Sequence, residues 1–139
     1  MSASRKRVLR GFGGLPYVTV EGIPIRKTKF GDVIDLPPNA IGRAVATALV
    51  VEGIPLRGRE VHFLRKILGL SMGRFGAKFD LSGTAIMKWE KDPEKRLPPV
   101  NEVAVRALVA EELKIKCRGW FSDLRDERET PGKLRVRAA

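Results

Sequence analysis

The segment Leu56–Pro99, LRGREVHFLRKILGLSMGRFGAKFDLSGTAIMKWEKDPEKRLPP, limits what this chain can fold into more than any other. Apolar residues recur in it at helical spacing, in three short runs separated by tight connections. The first run, Gly58 to Leu68, places Val61, Leu64 and Leu68 on one face, and Gly69 can take the left-handed conformation that ends a helix. Ser71 is placed to cap a second helix, Met72 to Phe79, with Phe75 and Phe79 one turn apart. Ser82 caps a third, Gly83 to Glu90, whose Ile86 and Trp89 face inward. A connection of roughly three residues between the second and third helices forces them to cross. The outward residues of the third helix, Gly83, Thr84, Met87 and Lys88, are small or polar. A helix that approaches base edges in a DNA major groove has this character.

Charge agrees with a polyanion partner. The chain of 139 residues carries 27 Lys and Arg against 16 Asp and Glu, a net charge of +11. By segment the balance is +4 over residues 1–15, 0 over 16–56, +5 over 57–99, −2 over 100–113 and +4 over 114–139. The excess is thus expected in the helical segment and both tails, where neutralising phosphates supplies non-specific nucleic-acid affinity.

The run LRKILGLSMGRFGAKFDLSGTAIMKWEK resembles the helix-turn-helix of the Cro/cI (XRE) repressor family. The matching features are Leu64-Arg65, the Gly-Leu-Ser before the second helix, the Leu-Ser before the third, and Ile86-x-x-Trp89-Glu90. The family usually has Gln where Met72 stands, and that Gln reaches a phosphate or base. It has Leu-Ala where Phe75-Gly76 stand, so Phe75 is expected to fill space that Gly76 vacates. The resemblance implies that Thr84 and Lys88 reach base edges and that Gly83 and Met87 allow close approach and contact with thymine methyls. Ser71, Met72, Ser82, Lys78, Lys91, Lys95 and Arg96 complete the expected DNA-binding set, most of them as phosphate contacts. It also implies that Glu90 braces the fold by pairing with Arg65.

Residues 1–14, with Arg5, Lys6, Arg7 and Arg10 among glycines, read as a flexible basic arm. Over residues 15–55, Tyr17–Val20 is a strand candidate, Glu21-Gly22 a turn, Ile23–Ile25 an edge strand and Val33–Leu36 a third strand. A helix from Pro38 to about Val51 follows, with Ile41, Ala44, Val45, Ala48 and Leu49 as its stripe. The sequence of residues 17–50 is similar to the end of the small zinc-binding domain of MqsA/YgiT-type antitoxins, which likewise precedes an XRE-type helix-turn-helix. The knuckle cysteines of that family are replaced here by Lys27 to Asp32. One Cys and one His in the whole chain cannot supply the four ligands of a tetrahedral zinc site, so no metal or other cofactor is expected.

Residues 56–113 form the helix-turn-helix domain and include a helix after Pro98-Pro99. Its Val100, Val103, Ala104, Ala107 and Leu108 read as a core stripe. Val105, Val109 and Leu113 read as a second stripe, for a homodimer partner or for cover by Trp120-Phe121. Residues 114–139 read as a basic tail with a short helix over Arg118–Leu124.

The expected fold is mainly α: an XRE-type helix-turn-helix domain of roughly four to five helices, preceded by a small β-meander and one helix. No catalytic group is expected. His62 has no nucleophile placed beside it, and Cys117, next to Lys116 and Arg118, has no resolving partner. No apolar run approaches the ~20 residues of a membrane span. The absence of a signal-peptide pattern and the single cysteine point to the cytoplasm, with placement on the nucleoid through DNA. The expected function is a sequence-specific DNA-binding repressor, homodimeric on double-stranded DNA. The alternative is an antitoxin that binds a toxin protein and regulates its own operon.

Overall fold

The computed structural model describes residues 5–116 and 129–138. Its elements run β1 (Arg5–Arg10), β2 (Val18–Thr28), β3 (Gly31–Ile34), α1 (Ala40–Val51), α2 (Gly58–Leu68), α3 (Met72–Ala77), α4 (Gly83–Lys91), α5 (Pro99–Glu112) and β4 (Leu134–Arg137). This corrects the mainly α expectation. Among the described residues the fold combines five α-helices with a four-stranded mixed sheet and is an α/β fold. The chain divides into two compact units, Met1–Val45 with Pro131–Ala139, and Ala46–Thr130. The expectations for Cys117, Trp120-Phe121 and a helix over Arg118–Leu124 fall outside the described residues.

In the sheet unit, β2 is the axis. β1 pairs antiparallel along one edge, from Arg5↔Ile25 to Arg10↔Thr19. The other edge is shared: β4 runs parallel against Val18–Glu21, and β3 antiparallel against Ile25–Thr28. Glu21-Gly22, expected as a turn, is instead a bulge inside one continuous strand. The register against β1 steps by one residue between Arg7 and Leu9, and Gly22 takes φ 70°. The extra residue changes parity, so Val18 and Val20 before it and Ile23 and Ile25 after it are all buried. Pro24 fits a central strand because of a gap. Its carbonyl accepts from the Asp35 amide (2.8 Å), so its missing donor faces the same edge, between the end of β4 opposite Glu21 and the end of β3 opposite Ile25.

The two basic termini belong to this sheet. Residues Arg5–Arg10, expected as part of a loose arm, form β1, and Leu134 and Val136 of the expected tail are buried in β4. The sheet unit therefore holds eleven Lys and Arg against three Asp and Glu, a balance of +8, whereas the helical unit holds sixteen against thirteen, +3. Most of the excess charge lies with the sheet unit.

Helix α1 runs to Val51 as expected, but begins at Ala40 after Asn39 at φ 67°. Its buried stripe is Gly42, Val45, Ala46, Leu49 and Val50, rotated from the expected one. In the helical unit, Val61, Leu64, Phe75, Ile86, Leu97, Val105 and Val109 make the core. Helix α5 presents the face opposite to the one expected. Val105 and Val109 are fully buried, whereas Val100 is 70% exposed and Ala107 is exposed. The buried stripe is Glu102, Val105, Arg106, Val109 and Ala110, at helical spacing but with two charges in it. Those charges answer each other and the backbone. Glu102 accepts from the Leu56 amide (2.5 Å) and from Arg96 Nη2 (2.9 Å), and Arg106 donates to the Ile54 carbonyl (2.6 Å). A buried charge survives only with such partners.

Candidate nucleic-acid interface

Helices α3 and α4 are positioned by glycine contacts and a buried ion pair. A Cβ on Gly76 would lie 2.6 Å from the Leu81 carbonyl oxygen, and one on Gly58 would lie 2.1 Å from that of Trp89. Gly76 is therefore required by the turn that crosses it, and Phe75, fully buried, packs edge-on against Phe79 at 5.2 Å between ring centroids. Gly83 meets Gly73: its Cβ would lie 3.2 Å from the Gly73 nitrogen. Gly83, expected to admit DNA, is thus at least equally needed for the crossing of the two helices.

Both caps form as the sequence indicates. The Ser71 hydroxyl accepts from the Arg74 amide (3.1 Å) and the Ser82 hydroxyl from the Ala85 amide (3.2 Å). Helix α3 ends at Ala77 rather than Phe79, and Asp80 turns the chain at φ 55°.

At the far end of α4, Glu90 is held by α2. Arg65 donates to it through Nε (2.6 Å) and Nη2 (2.9 Å), and spends its remaining nitrogen on the Leu70 carbonyl (3.0 Å). His62 Nδ1 lies 2.5 Å from the same carboxylate. Burial pushes the Glu90 carboxyl up, but the Arg65 and His62 hydrogen bonds outweigh it and hold it below its ordinary value. Arg65 is raised in turn, chiefly by its hydrogen bond to Glu90. The expected Arg65–Glu90 brace is present.

What remains outward on α4 is a single stripe, Thr84, Met87, Lys88 and Lys91, at i, i+3, i+4 and i+7, with all four exposed. Lys78 and Lys95 are exposed, Ser71 and Ser82 are exposed caps, and Met72 and Gly83 are half-buried. Arg96, expected on phosphate, is committed to Glu102. Among the described residues of this unit most guanidinium groups are similarly engaged, Arg57 with Glu60 and Glu94, and Arg59 with Glu94. Lys78, Lys88, Lys91, Lys95 and Arg74 form no ion pair among the described residues. Arg74, exposed on α3, was not singled out in the sequence. Its signal was its position three residues after a capping serine.

Among the described residues no cluster of His, Cys, Asp or Glu could hold a metal ion. No helix among them is long and apolar enough to cross a membrane. No family model matches this chain, and no curated protein or solved structure matches it either.

Proposed function

We propose that the chain is a sequence-specific DNA-binding transcriptional regulator, acting as a repressor, with α4 reading the major groove. The observation that carries this reading is the stripe Thr84, Met87, Lys88 and Lys91. It is an exposed, mostly polar face with two uncommitted cations, on a helix whose other face and both ends are fixed by packing and caps. Rigid presentation of a few groups is what direct readout requires. Thr84 and Lys88 are the base contacts, and Met87 offers an apolar surface to thymine methyls. Ser71, Arg74, Lys78, Ser82, Lys91 and Lys95 serve phosphates.

A homodimer on a two-fold operator accords with this reading, and the surface left to it on α5 is the outer one, with Val100, Ala107 and Leu108, because Val105 and Val109 are interior.

The test is a preferred duplex selected from random sequence, then binding of Lys88→Ala to it and to a random duplex. Removing a base-reading group costs about 1–3 kcal/mol on the preferred site and little on the random one. Equal weakening on both would reduce Lys88 to a phosphate ligand and remove the main support for the reading.

A further inference from the structure

The most exposed large apolar side chain among the described residues is on the sheet unit. Phe30 is 90% exposed at the tip of the β2–β3 hairpin. Its turn is a two-residue loop, Lys29-Phe30, between the paired residues Thr28 and Gly31. The Thr28 hydroxyl donates to the Gly31 carbonyl (2.7 Å) and accepts from the Phe30 amide (3.2 Å). Gly31 takes φ 116°. The turn is closed by Thr28 and Gly31 and asks nothing of the side chain at position 30. A phenyl ring left in water there forfeits burial free energy that a polar residue would not.

Cations share the tip with the ring. Lys29 lies over it at 5.4 Å, and Arg26 and Lys27 precede it on β2, all exposed. Successive strand residues point to opposite faces, so Arg26 and Lys27 flank the ribbon on its two sides. Register sets Lys27 opposite Asp32, yet no ion pair forms between them.

We propose that this hairpin is a second DNA contact, with Phe30 wedging between base pairs from the minor groove and Arg26, Lys27 and Lys29 on the phosphates to either side. The inference rests on the reading of the chain as a duplex-DNA binder and adds to it a deforming, sequence-tolerant element. Charge selects this partner over a protein: the sheet unit carries +8, with three acids in all, and the tip carries three cations within four residues. An apolar wedge at the end of a narrow basic element is how proteins unstack and kink duplexes.

The experiment uses the full chain and duplexes carrying 2-aminopurine, whose emission rises when it is unstacked. Wild type raises the emission on both preferred and random duplexes. Phe30→Ala abolishes the rise at saturating protein and weakens both duplexes alike, by about tenfold. Since Phe30 is outside the core, the thermal midpoint of this variant stays at the wild-type value. Lys27→Ala with Lys29→Ala flattens the dependence of log K on log salt by roughly 0.9 for each phosphate that is no longer neutralised.

If Phe30→Ala leaves affinity and emission as in wild type, the proposal is overturned and the tip is a surface for another partner, a protein or an anionic membrane. Loss of binding to phosphatidylserine vesicles in Phe30→Ala, with DNA binding intact, overturns it in favour of the membrane. Lys88→Ala run in parallel separates this inference from the reading of α4. Lys88→Ala changes the ratio between preferred and random sites, whereas the hairpin variants leave that ratio alone.

Discussion

Arg65 grips Glu90 with two nitrogens and the Leu70 carbonyl with the third, so one guanidinium ties the end of α4 to α2 and to the turn before α3. The orientation of the proposed reading helix relative to α2 is fixed at this point.

The brace carries a pH signature. Glu90 titrates below the ordinary carboxylate value in the folded chain, so the folded state binds fewer protons than the unfolded one. Its stabilisation is complete above the ordinary value and is lost as pH falls through the lowered one. Glu90→Gln should cost about 1–3 kcal/mol near neutrality. In urea unfolding the gap between the two proteins should narrow as pH drops below ~4. A gap that stays constant into strong acid would mean that the charge on Glu90 does not contribute.

Glycine substitutions should separate steric clash from helix propensity. Gly58→Ala sets a methyl 2.1 Å from the Trp89 oxygen and 2.4 Å from that of Asp92, both backbone atoms. We expect a loss of more than about 3 kcal/mol. Gly73→Ala meets nothing within 4 Å on α3 and should gain about 0.5–1 kcal/mol through helix propensity. Denaturant midpoints of the two variants check the contrast.

On α5, Val105→Asp buries an unpartnered charge at a position with no exposure, and should unfold the helical unit rather than yield a folded monomer. Leu108→Asp, half-exposed on the opposite side, should keep the fold. Circular dichroism with sedimentation distinguishes loss of structure from loss of association. A folded Val105→Asp protein would contradict the burial of this face of α5.

Removing residues 131–139 deletes β4, with Leu134 and Val136 from the core and a parallel pairing along Val18–Glu21. Amide exchange on β2 should accelerate at Val18–Val20 and stay slower at Ile25, which β1 and β3 hold from both sides. Uniform protection along β2 after truncation would show that β4 adds nothing to the sheet.

The sequence by itself determined what is local. The bounds of α2, the caps Ser71 and Ser82, the glycine stop at Gly69 and the pairing of Arg65 with Glu90 were all legible, because helical spacing and capping act over one or two turns. Two things were decided only by tertiary structure. The first is which face of α5 goes inside. Apolar counting rejects a stripe containing Glu102 and Arg106, and that stripe became the interior only because Arg96, the Leu56 amide and the Ile54 carbonyl converge on it from elsewhere in the chain. The second is the sheet. RKRVLR and LRVR resemble solvated tails, since an outer strand is polar on its open side and short-range composition cannot register a partner. Their partner is β2, and the parallel pairing of Val18 with Leu134 exists only when the two ends of the chain meet. In segments as short as these, alternation along the strand does not reveal the partner, which is why Arg5–Arg10 and Leu134–Arg137, each within an apparent basic tail, proved to be strands of one charged sheet.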